Sequence, residues 1–202
     1  MKYKVILFDA DGVTLKSAHL FSEQIQIDYG IKTETLQPFF NGIFKQCTIG
    51  KADLKEELVK VIGEWGWKGT VEELMEYWFT KGTHVDEDVD AYVRSLRDQG
   101  VRCFMTTDQE KYRGEYLNVL LGNGKVFEQV FYSAEIGHVK KEPEYFEHVY
   151  QVLSEIMGSI DKNEILFIDD GEKNVEAAKI FGLDGYFYRN LDELKMFLSK
   201  NE

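Results

Sequence analysis

Residues 3–14 read Tyr-Lys-Val-Ile-Leu-Phe-Asp-Ala-Asp-Gly-Val-Thr, and the fold that we expect for the chain follows from this stretch. It opens with a continuous apolar run, Val5–Phe8, and then carries two carboxylates, Asp9 and Asp11. An apolar run of this length is typical of a strand that is buried on both faces of a parallel sheet. Ligands bind beyond the carboxyl ends of such strands. The two carboxylates therefore stand where a parallel sheet would carry its functional site.

Four more apolar runs follow along the chain, with helical patterns between them. The runs are Val101–Met105, Val130–Tyr132, Ile165–Ile168 and Tyr186–Tyr188. Alternation of strands and helices predicts βαβ units, whose strands pair in parallel. We therefore expect an α/β fold in which a Rossmann-like parallel sheet core carries helices on both faces.

The helices between these strands have recognisable ends. Asp86 and Asp108 are each placed to cap a helix, because a short acidic side chain can accept hydrogen bonds from the first free amides of a helix. Pro143 suits the first turn of another helix, and Gly182 is placed to end the helix that starts near Asn174. These positions support the predicted alternation.

The segment from residue 17 to residue 84 departs from this alternation, because it shows helical patterns and no convincing strand. It includes a capping box, Thr70-Val71-Glu72-Glu73, which predicts the start of a helix. A crossover between parallel strands needs only about a dozen residues. We therefore expect residues 17–84 to form an inserted helical cap domain, and residues 1–16 and 85–202 to form the core domain.

Aromatic residues are frequent in the expected cap. We expect most of them to form the core of a small helical bundle, with a surface that stacks against a ligand as the alternative. Lys51 follows Gly50 in a predicted turn, where we favour a solvated lysine over a contact with a distal anionic group of a substrate. The aromatic residues are Phe39, Phe40, Phe44, Trp65, Trp67, Tyr77, Trp78 and Phe79.

The chain has 202 residues, with 24 Lys and Arg against 36 Asp and Glu, and a formal net charge of −12. This acid excess argues against binding to nucleic acid or to an anionic membrane, because both require a cationic surface. Two cysteines cannot form a disulfide framework. The first apolar run is too short for a signal peptide or a membrane span. We therefore expect a cytoplasmic protein, and the sequence carries no signal for an oligomeric state.

Reactive polar groups follow four of the predicted strands. Because the carboxyl ends of parallel strands meet at one edge of a sheet, we expect these groups to converge on one spot. They are Asp9 and Asp11 after the first strand, Thr106, Thr107 and Asp108 after the second, Lys140 and Lys141 after the third, and Asp169 and Asp170 after the fourth.

Several carboxylates in one spot require a counter-cation, because like charges raise each other's pKa. Oxygen-only ligands favour a hard divalent cation, and a small set of them with space for water favours Mg²⁺. Together with a lysine and a threonine hydroxyl, Mg²⁺ provides the charge neutralisation and the oriented donors that a phosphoryl group needs. One carboxylate is then available to attack phosphorus and form an aspartyl-phosphate.

Each of these features has an ordinary structural explanation when it is taken alone. The Asp-x-Asp-Gly pattern also begins calcium-binding loops, but here Val13 occupies the fifth ligand position. Thr106 alone would be an ordinary strand threonine, and Lys140-Lys141 alone would be a solvated surface pair. The occurrence of all four features in order, each after a buried strand, is what favours a site.

In this order the sequence resembles the haloacid dehalogenase-like (HAD) hydrolase superfamily over nearly the whole chain. The sequence Phe8-Asp9-Ala10-Asp11-Gly12-Val13-Thr14 is similar to the motif that carries the nucleophile. The resemblance implies that Asp9 is the nucleophile and a metal ligand. It also implies that Asp11 is the general acid and base, and that it binds the metal through its backbone carbonyl. A helical insert directly after this motif resembles the type 1 cap of the phosphatase and phosphomutase branch.

The other three motifs of the superfamily have counterparts as well. Thr106, with Thr107 beside it, resembles the residues that hold the phosphoryl oxygens. Lys140 resembles the lysine that balances charge on the nucleophile and the phosphoryl group. The family usually has Lys-Pro at this point, whereas this chain has Lys140-Lys141-Glu142-Pro143, so Lys141 is the alternative. Asp169 and Asp170 resemble the metal-binding pair of the fourth motif, and Asp170 is favoured as the direct ligand.

We therefore expect a Mg²⁺-dependent hydrolase that removes phosphate from a small phosphorylated metabolite through an aspartyl-phosphate. A sugar phosphomutase with the same residues and a non-catalytic phospho-acceptor module are the alternatives. A dehalogenase is disfavoured, because the true dehalogenases of the superfamily lack the second aspartate and need no metal, whereas this chain has Asp11.

Overall fold

Five parallel strands form the centre of the molecule. The computed structural model describes residues 2–16 and 19–201. The strands are β1 (Val5–Asp9), β2 (Arg102–Thr107), β3 (Val130–Tyr132), β4 (Ile165–Asp169) and β5 (Asp184–Phe187). They pair in the order β3-β2-β1-β4-β5, and every neighbouring pair is parallel. The predicted parallel sheet is therefore confirmed.

The central strand β1 is buried along its whole length, as its continuous apolar run predicted. Successive side chains of a strand point to opposite faces of the sheet. Ile6 and Phe8 accordingly enter one hydrophobic cluster, and Val5 and Leu7 enter another. The chain runs from β1 outward to β3 and then returns to the other side of β1 with β4. The strand order therefore reverses at β1, which is where open parallel sheets bind ligands.

Five helices follow β1 in the segment predicted as a cap, and they pack around a hydrophobic core of their own. No strand occurs in residues 19–84. Ser17 and Ala18, at the predicted start of the cap, lie outside the described residues. That this segment is a separate domain stays a prediction. The helices are α1 (Phe21–Tyr29), α2 (Thr33–Asn41), α3 (Phe44–Thr48), α4 (Leu54–Trp65) and α5 (Val71–Lys81).

Most of the aromatic side chains of this segment pack against one another. The ring of Trp78 has its centroid 4.5 Å from that of Phe21, 5.4 Å from that of Phe40 and 5.5 Å from that of Phe44. Trp78 is buried, while the three phenylalanines are partly exposed. The predicted bundle core is therefore present, with one part of its aromatic surface left open.

Helices cover both faces of the sheet, as predicted. The helices after the cap segment are α6 (Glu87–Asp98), α7 (Lys111–Leu120), α8 (Ser133–Ile136), α9 (Pro143–Met157), α10 (Glu172–Phe181) and α11 (Leu191–Ser199), with a 3-10 turn at Lys162–Glu164. Apolar residues of α6, α7 and α11 pack on one face, and those of α9 and α10 pack on the other. None of the described helices is both long and apolar enough to cross a membrane.

Three of the predicted helix ends are confirmed. Asp86 caps α6, because its Oδ1 accepts a hydrogen bond from the backbone N–H of Asp88 at 3.2 Å. Pro143 is the first residue of α9. Gly182 ends α10 in the left-handed conformation, with a φ of 105° that favours glycine.

The predicted cap at Asp108 is wrong. Helix α7 is capped by Glu110 instead, whose carboxylate accepts hydrogen bonds from the backbone N–H groups of Tyr112 at 2.8 Å and Arg113 at 2.6 Å. Asp108 Oδ1 accepts a hydrogen bond from the backbone N–H of Lys140 at 2.9 Å. The Asp108 carboxylate thus accepts from the backbone N–H of Lys140 and not from an N–H of α7. It therefore joins the loops that follow β2 and β3.

Candidate active site

Lys140 lies between two carboxylates at the carboxyl end of β1. Its Nζ is 2.6 Å from Asp9 Oδ1 and 2.7 Å from Asp169 Oδ2. All three residues are buried, and Lys140 is only 3% exposed. Burial lowers the pKa of Lys140, but the carboxylates of Asp9 and Asp169 outweigh this effect and hold the pKa above its usual value. Lys140 therefore carries its charge and neutralises part of the carboxylate charge beside it.

The structure distinguishes Lys140 from its neighbour in the sequence. Lys141 is exposed, whereas Lys140 is buried in the carboxylate group. The hydrogen bond to Asp108 anchors the backbone of Lys140. The next turn is closed by the N–H of Glu142, which donates to the carbonyl of Val139 at 2.8 Å. This turn accommodates Glu142, the residue between Lys141 and Pro143. Lys140 therefore faces the site.

Asp169 is held in one orientation by its hydrogen bonds. Its Oδ1 accepts from the backbone N–H of Gly171 at 2.7 Å and from Asn174 Nδ2 at 3.1 Å. Its Oδ2 accepts from Lys140 and, at 3.3 Å, from Asn174 Nδ2. Hydrogen bonds to an ionised carboxylate are among the strong ones. Asp169 is therefore a rigid part of the site.

Asp9, Asp169 and Asp170 each offer a carboxylate oxygen, and these oxygens lie within 4.8 Å of one another. Burial raises the pKa of Asp9 to about 8, and the carboxylates of Asp169 and Asp11 add to this effect against the opposing effect of Lys140. When Asp9 is ionised, three carboxylates beside one ammonium group carry an excess of negative charge, which a bound cation would offset. Hard oxygen donors in this number suit a divalent cation such as Mg²⁺. The cluster agrees with the predicted metal site at these three residues.

Gly12 makes room for the third of these carboxylates. A Cβ atom at position 12 would stand 2.1 Å from Asp170 Oδ2, which is far closer than two such atoms can approach. Gly12 also has a φ of +82°, a conformation that other residues adopt only with strain. The glycine of the first motif is therefore required both by the turn after β1 and by the position of Asp170.

Asp11 has a different set of partners. Arg113 holds its carboxylate with two hydrogen bonds, from Nη2 to Oδ1 at 2.8 Å and from Nη1 to Oδ2 at 3.2 Å. Gln109 Nε2 donates to Oδ2 at 2.6 Å. Arg113 Nη2 also donates to the backbone carbonyl of Gly82, directly after α5, at 3.1 Å. Arg113 therefore links the acid that precedes the inserted helices to the residue that follows them.

Gln109 and Arg113 were not predicted from the sequence as site residues. Both are buried polar residues, and together they contact a carboxylate about a hundred positions earlier in the chain. Arg113 did carry a signal, because it lies in the first turn of α7, where the helix dipole disfavours a cation. Gln109 carried none. The roles predicted for Asp11, in proton transfer and in metal binding through its backbone carbonyl, stay predictions.

The two threonines of the second motif occupy different places. Thr106 stands opposite Asp9 in the pairing of β1 with β2, is fully buried, and donates from Oγ1 to the backbone carbonyl of Phe8 at 3.3 Å. Thr107 lines the cavity in front of the carboxylates. The phosphate-binding role of both residues stays a prediction, and the structure brings Thr107 to the cavity wall.

A cavity of about 940 Å³ lies between these groups and the inserted helices. Lys51 lines a second and smaller cavity of about 370 Å³ beside Glu110 and Tyr132, rather than this one. On the sheet side, the main cavity is lined by Asp9, Asp11, Thr107, Lys140 and Asp170. On the helical side, its lining includes Leu20, Phe21, Phe40 and Trp78.

The reversal of strand order at β1 and the helical segment directly after that strand are typical of one class of α/β hydrolase. The family model of the haloacid dehalogenase-like hydrolases matches residues 3–182. The chain therefore belongs to the haloacid dehalogenase-like hydrolase family, as its four motifs predicted.

Several solved structures share this fold. A HAD family enzyme from Bacteroides thetaiotaomicron superposes with a TM-score of 0.75 at 22% identity, over 96% of this chain and 98% of that one. A HAD-like family hydrolase from Porphyromonas gingivalis gives 0.74 at 21% identity, over 98% of each chain. The L-2-haloacid dehalogenase from Xanthobacter autotrophicus gives 0.62 at 19% identity, over 99% of this chain and 84% of that one. At these identities the likeness shows the fold alone.

One relative of known activity is similar in sequence. The sesquiterpene phosphatase astK of Aspergillus oryzae is 27% identical over 187 residues, which cover 91% of this chain and 88% of the relative. The similarity therefore extends over both the sheet and the inserted helices.

Proposed function

We propose that the protein is a Mg²⁺-dependent phosphatase that acts on a phosphate monoester of a small metabolite through an aspartyl-phosphate on Asp9. The observation that carries the proposal is the position of Lys140, whose ammonium group joins the carboxylates of Asp9 and Asp169 at the end of the central strand. This arrangement combines a carboxylate nucleophile with the positive charge that a phosphoryl group requires.

Two relatives support phosphate chemistry over halide chemistry. The relative from Aspergillus oryzae is named a sesquiterpene phosphatase. A second structure of the Bacteroides thetaiotaomicron enzyme, with a TM-score of 0.72 at 20% identity over 95% of this chain and 98% of that one, is a complex with magnesium and inorganic phosphate. The presence of Asp11 in this chain points the same way, because a second carboxylate is needed to move a proton to and from the reacting oxygens.

The residues that would hold Mg²⁺ are Asp9, Asp169 and Asp170, together with the backbone carbonyl of Asp11. Their oxygen donors fit the cation, which would offset their excess of negative charge. A divalent cation bound here supplies charge neutralisation to the carboxylates and to the phosphoryl oxygens.

Asp9 is the nucleophile of the proposed reaction. Its Oδ1 accepts hydrogen bonds from Lys140 and, at 2.7 Å, from the backbone N–H of Ala10. Its Oδ2 is therefore the oxygen that attacks phosphorus. The bond from Oδ2 to phosphorus forms while the bond from phosphorus to the alcohol oxygen breaks. Asp11 enters this step in its protonated form and gives the proton to that oxygen, and the alcohol leaves.

Asp11 acts as the base in the second half of the reaction. It takes a proton from a water molecule, whose oxygen attacks phosphorus while the bond to Asp9 breaks. Inorganic phosphate leaves, the Asp9 carboxylate is restored, and Asp11 is protonated again. Arg113 and Gln109 are positioning residues, because their hydrogen bonds set the orientation of the Asp11 carboxylate between these steps.

Replacement of the nucleophile tests the proposal. Asp9→Asn should abolish Mg²⁺-dependent phosphate release from 4-nitrophenyl phosphate, because an amide is a poor nucleophile toward phosphorus. Asp192→Asn, at an exposed position of α11, is the matched control and should retain the rate of the unmodified protein. Circular dichroism of both variants establishes that they are folded.

Four outcomes would contradict the proposal. Unaltered phosphate release by Asp9→Asn would exclude the aspartyl-phosphate. Absence of turnover in the unmodified protein with Mg²⁺ would favour a phospho-acceptor module. Metal-independent release of halide from a 2-haloacid would favour a dehalogenase. Transfer of phosphate within a sugar phosphate, seen by product analysis, would instead identify a phosphomutase.

A further inference from the structure

The helical side of the main cavity carries a cluster of aromatic side chains. The rings of Phe21 and Trp78 stack with an interplanar angle of 22°, and Phe40 meets Trp78 edge-on. Leu20 extends this surface and is 71% exposed. Apolar surface that is left open in a cavity gains free energy when a ligand covers it. This surface faces Asp9 and Lys140 across the cavity.

The polar residues on the same side of the cavity are mostly uncharged. Ser22, Thr33, Gln37 and Asn41 line it, and Glu23 is the acid among them. Thr33 is already engaged, because its Oγ1 donates to the backbone carbonyl of Ser22 at 3.0 Å. A hydroxyl group that lies against the aromatic rings has no hydrogen-bond partner there, and an unpaired buried hydroxyl group is costly, whereas a hydrocarbon chain carries no such cost.

Each cationic residue that lines the cavity already has a carboxylate partner, among the residues that the structure describes. A divalent cation at Asp9, Asp169 and Asp170 would offset the carboxylate charge for the first phosphate group. A second phosphate group bound to one of the other cations would lie beside the partner carboxylate without such a cation and would be repelled by it. The pairs are Lys140 with Asp9 and Asp169, Arg113 with Asp11, Lys16 with Asp86, and His19, when protonated, with Glu23.

We infer that the substrate is a phosphate monoester of an apolar, uncharged alcohol, whose hydrocarbon part lies against Phe21, Phe40 and Trp78. This inference rests on the proposed function and deepens it, because it names the class of leaving group. The phosphoryl group lies at the sheet side of the cavity, next to Asp9 and Lys140. The aromatic side sets specificity by covering apolar surface, and a bisphosphate finds no second anion site.

A series of esters tests this inference. We would measure kcat/KM with Mg²⁺ for n-alkyl phosphates from propyl to octyl. Glycerol 1-phosphate and propane-1,3-diyl bisphosphate are the three-carbon controls, one with added hydroxyl groups and one with a second phosphate. We expect kcat/KM to rise roughly fourfold per methylene, the equivalent of about 0.8 kcal/mol, until the aromatic surface is covered. Both controls should have a lower kcat/KM than propyl phosphate.

Two variants locate the selectivity. Phe21→Ala removes a ring that lines the cavity, and we expect the gain per methylene to fall to about half of its original value. Phe44→Ala is the matched control, because Phe44 belongs to the same aromatic cluster, with its ring 5.1 Å from that of Phe40, but does not line the cavity. It should keep the full gain. If either variant fails to fold, the dependence of kcat/KM on chain length in the unmodified protein still tests the inference.

The outcomes separate this inference from the proposed function. If short esters are hydrolysed with Mg²⁺ and kcat/KM is flat or falls with chain length, the inference is wrong and the phosphatase stands. If no ester is hydrolysed, the proposed function is wrong, and calorimetry with n-alkyl phosphonates decides the inference. A Kd that does not fall from methyl to octyl phosphonate would then overturn it.

Discussion

Lys140 Nζ lies 2.6 Å from Asp9 Oδ1, although 131 positions separate the two residues in the chain. Both side chains are buried, so neither charge is compensated by bulk water. Removal of one partner from a buried ion pair leaves the other charge uncompensated, which is strongly destabilising. The contact therefore matters for folding as well as for the proposed chemistry.

Lys140→Met should lower the free energy of unfolding by about 3 kcal/mol and abolish phosphate release, because Asp9 and Asp169 lose their counter-charge. Lys141→Met is the matched control at an exposed position, and it should change stability by less than about 0.5 kcal/mol. Urea unfolding and phosphate release measure the two effects. Equal behaviour of the two variants would show that Lys140 does not hold the site together.

Gly12→Ala should weaken Mg²⁺ binding at least tenfold, because the added methyl group would displace the Asp170 carboxylate. Gly30→Ala is the control, since Gly30 has a φ of +70° and no atom within 4 Å of the added group. Both variants should lose about 1 kcal/mol of stability from backbone strain. Calorimetric Mg²⁺ titration tests the difference, and an unchanged affinity in Gly12→Ala would exclude Asp170 as a ligand.

Arg113→Lys should lower kcat by roughly 10- to 100-fold and leave KM within about twofold, because lysine keeps the charge but loses the two-point contact that orients Asp11. Arg94→Lys is the control. Arg94 makes a comparable contact with Asp90 on the exposed side of α6, with Nε 2.8 Å from Oδ2. Steady-state kinetics measures both. A rise in KM without a fall in kcat would assign Arg113 to substrate binding instead.

Glu110 should make stability fall as pH rises. Burial raises its pKa from 4.5 to about 7, against the effect of its hydrogen bonds to the amides of α7. Between these values the folded protein binds more protons than the unfolded chain, so the contribution of Glu110 to the free energy of unfolding declines by up to about 3 kcal/mol. Glu110→Gln removes this decline, and urea unfolding from pH 4 to pH 8 measures it.

Glu164→Gln is the control for this measurement. Glu164 is paired with Lys4 at the surface, and the hydrogen bond from Lys4 lowers the pKa of Glu164. Its contribution is therefore present above the ordinary pKa of glutamate and is lost only as pH falls below it. Between pH 5 and pH 7, Glu164→Gln should therefore show the same decline in the free energy of unfolding as the unmodified protein. If the free energies of unfolding of the unmodified protein and of Glu110→Gln differ by the same amount at every pH, Glu110 is not the group that causes the decline.

Much of the fold was predictable from local patterns. The strands at Val5–Asp9 and Ile165–Asp169 follow from continuous apolar runs, and the start of α9 follows from the ring of Pro143, which suits a first turn. The cap of α7 was not predictable in the same way. Asp108 and Glu110 both have a carboxylate near the helix start, and the choice between them depends on the Lys140 amide, which comes from another loop.

Some residues of the candidate site were likewise predictable from the sequence, and others were not. The carboxylates of Asp9, Asp169 and Asp170 were identified in advance, because residues that end parallel strands must meet at one edge of the sheet. The sequence already favoured Lys140 over Lys141, and in the folded chain Lys140 is the buried one of the two. The contact of Arg113 with Asp11 and the aromatic side of the cavity became visible only in the folded chain. Strand periodicity and capping depend on a few neighbouring residues and can be read along the chain. Contacts between residues a hundred positions apart depend on how the loops and inserted helices pack, and no spacing in the sequence encodes that packing.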